Sequence, residues 1–207
     1  MTIAPSRAAV LDLVAGVLCL DFVNTASGRG TDARLEHLQS YETLVQWSVH
    51  VGALDPATAR ALASMAKSAA ARDVFARAIV LREAIARIVV AIIGSTGLPA
   101  DAATIVGAEA AAAIQHSKLT KTDAGVAWSW PARPATVARP LWPVAQSAYE
   151  LMKTTDPARL KQCPAADCGW LFLDRSKNNS RRWCDMRTCG NRRKAREHYR
   201  RHHGARS

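Results

Sequence analysis

The chain has 207 residues, of which 49% are hydrophobic and 22% are charged, and its formal net charge is +11. This length suits one ordinary domain, or a medium domain with a small appendage, and the composition excludes wholesale disorder. Residues 1–156 hold 14 basic and 13 acidic side chains, whereas residues 157–207 hold 14 basic and 4 acidic ones. Because the positive charge is concentrated in the last quarter, we expect an anionic macromolecular partner, nucleic acid before a membrane surface.

The cysteines indicate the compartment. Cys19 stands alone, whereas the other four cysteines all lie in the basic quarter. The apolar stretch after Arg7 is interrupted by Asp12 and Asp21, so it does not resemble an export signal. The apolar patch at residues 84–93 is too short to span a bilayer. We therefore expect a reduced, cytoplasmic location without a membrane partner, where clustered cysteines favour metal ligation over disulfides.

The first part of the chain contains one predicted strand and a series of predicted helices. Residues 17–23 (VLCLDFV) are a continuous apolar and β-branched run, which predicts a strand buried on both faces. Ser40 and Asp55 are predicted N-caps, and Pro56 suits the first turn of a helix. Apolar periodicity and propensity then predict helices at residues 40–52, 55–71, 73–94 and 99–115.

Further along, residues 119–122 and 126–130 flank a short glycine-containing loop, which predicts a β-hairpin. Trp128 and Trp130 then share one face of the hairpin. A last helix is expected at residues 143–153. The fold class is therefore α+β: a mostly helical first domain at residues 1–156 with a few antiparallel strands, and a second unit at residues 157–207. That unit is too small to be stabilised by a hydrophobic core alone and should need an additional stabilising element.

Four cysteines in the second unit have the spacing C-x4-C-x15-C-x4-C: Cys163, Cys168, Cys184 and Cys189. Two such pairs suit a tetrahedral zinc, with the spacer folding as a hairpin from a strand at residues 169–173 to a return at residues 181–183. Four protein thiolates leave no position open for water, so the zinc would be structural. A reduced or disulfide-linked set of structural cysteines is the alternative.

A zinc ion with four thiolates carries a net charge near −2 and needs nearby donors and cations. Four arginines are close in sequence: Arg175, Arg181, Arg182 and Arg187. A helix-compatible run follows Cys189 directly, so this thiolate is expected at the positive end of a helix dipole.

Two motifs resemble a known family. Residues 189–192 spell CGNR, and the sequence around them resembles the CGNR-type treble-clef zinc finger of bacterial transcriptional regulators. Residues 20–25 (LDFVNT) are similar to the LDFxNT entry of the ABATE domain, which precedes this finger in stress-induced regulators. The resemblance implies that Cys163, Cys168, Cys184 and Cys189 bind one structural Zn²⁺, and that the protein is a DNA-binding regulator.

Residues 190–203 form a basic run with helical spacing. Arg192, Arg196 and Arg200 fall at i, i+4 and i+8, a single cationic stripe suited to the major groove or to phosphates. The predicted nucleic-acid-binding residues are Arg181, Arg182, Arg187, Asn191, Arg192, Arg193, Lys194, Arg196, Arg200 and Arg201.

Two other interpretations of the basic unit stay open. The charge run is either a solvated face or an RNA-binding surface, in which Trp170, Phe172 and Trp183 would stack on unpaired bases. A nuclease of treble-clef type is disfavoured because residues 169–183 contain no histidine.

Polar side chains at Asp21, Asn24 and Arg82 lie within otherwise apolar segments of the first domain. They either serve the structure or line a pocket, and they are the candidate ligand-binding residues. The sequence thus favours a zinc-dependent DNA-binding regulator that is not an enzyme. Its first domain would sense a small molecule or hold a homodimer. The rival hypothesis is an enzyme in the first domain, with the finger as a targeting module.

Overall fold

The structure, a computed structural model, describes residues 6–203 apart from residues 30, 33, 124 and 134. The side chains of Glu197, Arg200, His202 and His203 also lie outside the described part. Within it the fold is α+β, as predicted. The α-helices are α1 (Leu18–Val23), α2 (Tyr41–His50), α3 (Pro56–Ser64), α4 (Ala69–Ile93), α5 (Ala100–Gln115), α6 (Leu141–Thr154) and α7 (Asn191–His203). The strands are β1 (Ala26–Ser27), β2 (Leu35–Glu36), β3 (Lys118–Thr122), β4 (Gly125–Ser129), β5 (Leu160–Gln162) and β6 (Leu171–Leu173).

Helix α4 is the centre of the helical part. It packs against α1, α2, α5 and α6, and it buries the apolar face that includes Leu81, Ile85 and Val89. The predicted cap Ser40 accepts a hydrogen bond from the Thr43 N–H, and the predicted cap Asp55 does the same for α3. Within the described residues, no helix combines the length and the apolarity needed to cross a bilayer.

The predicted boundary between the second and third helices is wrong. The prediction ended one helix at residue 71 and began the next near Asp73, whereas α3 ends at Ser64 and α4 begins at Ala69. The hydroxyl of Ser68 accepts a hydrogen bond from the Ala71 N–H at 3.1 Å, and this cap starts the new helix.

The strand predicted at residues 17–23 is also wrong, because most of this segment is the short helix α1. Its side chains Cys19, Leu20, Phe22 and Val23 are buried, and the helix packs against α4, α6 and β6. A short segment that is surrounded by protein shows a continuous apolar run in either conformation, so periodicity alone does not separate helix from strand.

The predicted hairpin is confirmed as β3 and β4, which pair antiparallel with Leu119 opposite Trp128. Trp130 follows β4, and its indole nitrogen donates to the Ala113 carbonyl at 2.7 Å. The side chains of both strands are exposed, except for the half-buried Ser129. The hairpin therefore projects from α5 with both faces open.

In the second unit, the predicted strand is confirmed at Leu171–Leu173, but its predicted partner is wrong. β6 pairs antiparallel with β5, which precedes the first zinc-ligand cysteine, and not with residues 181–183. Asp174 holds the returning segment instead, because its buried carboxylate accepts from the Arg181 N–H at 2.7 Å and from Lys161 Nζ at 2.6 Å. Burial raises the pKa of Asp174, but these donors outweigh it and hold this pKa below its usual range.

Candidate zinc centre and nucleic-acid interface

The four late cysteines meet at one point. Their sulfur atoms lie within 4.8 Å of one another, and all four residues are buried. Cys163 follows β5 and Cys168 precedes β6, so the loop between these strands, the knuckle, supplies two sulfurs. Cys184 and Cys189 belong to the segment that leads into α7. The knuckle, the strands β5 and β6 that it joins, and the amino-terminal end of α7 thus surround one site.

This donor set fits zinc. Tetrahedral Zn–S bonds of about 2.3 Å separate the sulfurs by about 3.8 Å. Cys184 Sγ lies 3.6 Å from Cys168 Sγ and 3.5 Å from Cys189 Sγ. No disulfide joins any of the five cysteines, and four of their sulfurs converge on one point, so the structure favours a metal site over the disulfide-linked alternative.

A π-helical turn at Met186–Gly190 brings Cys189 to the start of α7. The Asp185 carboxylate caps this turn by accepting from the Arg187 N–H at 2.8 Å. Gly190 is buried, and a Cβ there would collide with the Met186 side chain and approach Trp183 Cδ1 to 3.3 Å. The glycine therefore lets the turn close over these side chains, with the thiolate at the positive end of the helix.

Arg192 contacts a zinc-ligand sulfur, although the sequence analysis did not predict that it balances the zinc charge. Arg192 Nη2 donates to Cys189 Sγ at 3.2 Å, and this hydrogen bond raises the pKa of Arg192. Arg181 instead donates to the carbonyl of Cys184. The remaining arginines predicted to balance the zinc charge are exposed: Arg175, Arg182 and Arg187.

Arg181 is half-buried, and its guanidinium contacts other parts of the protein. Its guanidinium donates to the Val14 carbonyl of the first domain at 2.6 Å and to the Trp183 carbonyl at 2.9 Å. It also stacks 4.4 Å from the ring centroid of the buried Phe172. In this position the side chain joins the finger to the first domain.

The other predicted nucleic-acid residues fall into three groups. Arg192 and Arg196 turn toward Asp167 of the knuckle, at 2.9 and 3.5 Å. Sequence reasoning missed Asp167, although an acidic residue beside a zinc ligand in a basic unit was a usable signal. The side chain of Arg200 lies outside the described residues. The remaining members are exposed, as Arg192 and Arg196 are, and within the described part of the chain no ion pair joins them to Asp167: Arg182, Arg187, Asn191, Arg193, Lys194 and Arg201.

The aromatic side chains that were considered for base stacking serve mainly the interior. Phe172 is fully buried, and Trp170 is half-buried with its indole nitrogen donating to Ser27 Oγ at 3.1 Å. Trp183 is half-buried, with the Arg193 guanidinium 5.5 Å from its ring centroid. These positions favour the core role over a stacking platform.

Asn24 and Asp21 of the LDFVNT motif contact the backbone. Asn24 Nδ2 donates to the Leu171 carbonyl at 2.9 Å, and Asn24 Oδ1 accepts from the Leu171 N–H at 3.0 Å. The amide thereby pairs with β6 of the finger as a neighbouring strand would. Asp21 Oδ1 accepts from the Ala15 N–H at 3.0 Å. Burial raises the pKa of Asp21 to about 6, although the N–H groups of Ala15 and Val14 oppose this shift.

Arg82, the third candidate ligand-binding residue, is fully buried in an ion-pair network. Its Nη2 contacts Glu36 Oε2 at 2.6 Å and Glu83 Oε1 at 2.9 Å. Arg29 also pairs with Glu83, and the backbone of Arg29 lies against Gly169 of the knuckle. Burial raises the pKa of Glu83, but Arg29 and Arg82 outweigh it and hold this pKa below its usual value. The network fastens Arg29 and Glu36 to α4.

Comparison with known proteins identifies both parts of the chain. Residues 16–155 match the ABATE family model, described as "Putative stress-induced transcription regulator". Residues 159–202 match the CGNR zinc finger, which confirms the predicted family and, with the cysteine geometry, the predicted single zinc ion. Neither description names an enzymatic activity. No curated protein matches the chain. The chain therefore belongs to the ABATE family and carries a CGNR zinc finger at its carboxyl-terminal end.

Proposed function

We propose that this protein is a zinc-dependent transcription regulator whose finger binds duplex DNA through α7. The exposure of this helix is the observation that carries the proposal. Every described side chain from Asn191 to Arg201 is exposed, and α7 packs mainly on the turn Met186–Gly190. The basic side chains of α7 outnumber its acidic ones and repel one another, and an anionic groove would neutralise them.

Lys194 and Arg201 are exposed on α7, and their long side chains make them the proposed phosphate contacts beside the groove. The test measures the affinity for duplex DNA against salt concentration. We expect the double variant Lys194→Ala/Arg201→Ala to lower the log–log salt slope by about 2, roughly one for each phosphate contact.

Arg60→Ala is the matched control because Arg60 is exposed on α3, in the first domain. It should leave the slope at the wild-type value, and all variants should retain stoichiometric zinc. An unchanged slope in the double variant would count against α7 as the DNA-binding element. Preferential binding of single-stranded RNA over duplex DNA would favour the RNA-binding alternative.

We also propose that the first domain forms a homodimer through the β3–β4 hairpin. Leu119 and Val126 are 63% and 68% exposed, and the pairing of Leu119 with Trp128 places apolar side chains on one face. An isolated two-stranded hairpin with an open apolar face is marginal in water. β4 carries no charged side chain, whereas β3 carries Lys118 and Lys121. β4 is thus the less protected edge, and two copies could pair there about a two-fold axis.

Sedimentation tests the dimer. Val126→Lys should convert a dimer to a monomer because it places a charge at the proposed shared edge. Val80→Lys is the matched control, since Val80 is also exposed, on α4, and should leave the dimer intact. A monomeric wild-type protein would contradict this role and favour small-molecule sensing. That role has a candidate location in the groove of about 560 Å³ between the segment around Val14 and the finger near Trp170.

A further inference from the structure

Asp167 of the knuckle receives two arginines from the proposed DNA-binding helix. Its Oδ2 accepts from Arg192 Nη1 at 2.9 Å and lies 3.5 Å from Arg196 Nη2. The two arginines are one helical turn apart, and the carboxylate belongs to a different segment, one residue before Cys168. An acidic group that is fixed beside the zinc site therefore sets the direction of two side chains of α7.

The two arginines are held differently. Arg192 uses its other terminal nitrogen for Cys189 Sγ at 3.2 Å, so both of its terminal nitrogens contact the finger. Arg196 is 58% exposed, and its Nη2 lies 3.5 Å from Asp167 Oδ2. Arg192 thus braces the helix against the knuckle, whereas Arg196 has one longer contact with it and stays largely exposed to solvent.

A guanidinium has five N–H donors, and its fork matches the O6 and N7 acceptors of guanine in the major groove. The second oxygen of Asp167, Oδ1, is buried and has no hydrogen-bond partner within the described part of the chain. Asp167 also lines a cleft of about 230 Å³, together with Trp183, Arg193 and Arg196. A cytosine N4 amine entering this cleft would supply the donor that Oδ1 lacks.

We propose that Asp167 is a positioning residue that aims Arg196 at a guanine, so that the pair reads one G·C base pair of duplex DNA. The inference rests on the proposed function. Holding Arg196 in place lowers the entropy cost of binding, and a long flexible side chain would otherwise lose that freedom at the interface. Exchanging Asp167 for a neutral side chain removes the anchor and leaves the charge of Arg196 in place.

The test selects bound duplexes from a random library with the wild-type protein, with Asp167→Asn and with Asp101→Asn. Asp101 is the matched control because it holds Arg87 in an exposed ion pair of the first domain, at 2.6 Å. We expect the wild-type motif to contain one strongly preferred G·C pair. Asp167→Asn should lose preference at that position alone, by about 5- to 150-fold. Its affinity for duplexes without the motif should rise, since one negative charge leaves the surface.

Arg196→Lys provides a second variant that keeps the charge but lacks the fork. It should lose the same base preference while retaining zinc, even if Asp167→Asn disturbs the knuckle. If both variants select the wild-type motif unchanged, the inference is overturned and the proposed DNA binding stands. If the wild-type protein binds duplex DNA but enriches no sequence, the inference is overturned. If it binds no duplex DNA, the proposed function itself fails, and the inference fails with it.

Discussion

At the residue scale, Asn24 is the most informative side chain of the LDFVNT motif. It offers one donor and one acceptor, and the backbone of Leu171 uses both in a buried setting. Only a primary amide supplies this pair from one short side chain. The motif is therefore part of the finger's structure as much as of the first domain.

Asn24→Asp should lower the free energy of unfolding by about 3 kcal/mol. The change replaces the Nδ2 donor with an oxygen that faces the Leu171 carbonyl, and it buries a charge. Urea denaturation of the zinc-loaded protein measures the effect. Asn178→Asp, at an exposed position of the finger, is the control and should change stability by at most about 0.5 kcal/mol. Equal effects of the two substitutions would contradict the stabilising role of the Asn24–Leu171 hydrogen bonds.

Asp21 makes a pH-dependent contribution with the opposite sign to an ordinary ion pair. Burial raises its pKa from 3.8 to about 6, so the folded state holds the proton more tightly than the unfolded chain does. The resulting stability is fully present below pH 3.8 and is lost as the pH rises through about 6.

We therefore expect Asp21→Asn to gain stability relative to the wild type as the pH rises. Between about pH 5 and pH 7.5 the difference in unfolding free energy should grow by about 1 kcal/mol. Denaturant titrations of both proteins at the two pH values measure it. A difference that is the same at both pH values would show that the carboxyl group titrates normally.

At the element scale, α1 connects the helical part to the zinc finger. It packs against α4 and α6 on one side and β6 on the other, and Gly28 just beyond it donates its N–H to the Cys168 carbonyl at 2.9 Å. The order of this segment should therefore depend on the metal.

Removal of zinc with a chelator should raise amide hydrogen exchange at residues 160–191 and at residues 24–28. Helices α4 and α5 should stay protected, because they pack against each other and α4 also contacts α2. Exchange followed by mass spectrometry reads each segment, and restored zinc should reverse the change. Unchanged protection at residues 24–28 would mean that the first domain orders this segment alone.

The sequence predicts the long helices well because their caps and apolar periodicity are local signals. Ser40 and Asp55 illustrate this, as does the hairpin with its glycine-containing loop. It fails at the boundary between α3 and α4, where the cap Ser68 is not recognised. It also fails at residues 17–23 and at the partner of β6, where contacts distant in the chain decide between alternatives of similar local preference. The zinc ligands follow from spacing, whereas the direction of Arg181 and Arg192 depends on Val14 and Asp167, which no periodicity reveals.

At the scale of the whole molecule, the buried core is continuous across the predicted boundary at residue 156. Leu171, Phe172 and Leu173 belong to the same cluster of buried side chains as Leu20 and Phe22. Two features therefore stabilise the small unit: the zinc site and the core that it shares with the first domain.

A fragment of residues 157–207 should consequently bind zinc at least about tenfold more weakly than the full chain. The fragment lacks the two Asn24–Leu171 hydrogen bonds and the first domain's share of the common core. Part of the free energy of zinc binding must therefore order its β-strands. Competition against a chromophoric chelator measures both affinities at one pH. Equal affinities would show that the finger folds independently of the first domain.

The contact between the knuckle and the segment that follows α1 also links the two parts in their ligand affinities. Gly28 pairs with Cys168, and Gly169 lies so close to the Arg29 backbone that a Cβ would come within 3.1 Å of its carbonyl oxygen. Coupling between two binding sites is reciprocal. If zinc tightens the binding of a molecule that holds this segment against the knuckle, that molecule must tighten zinc binding by the same factor. Retention of the metal is thus a measurable report on events in the first domain.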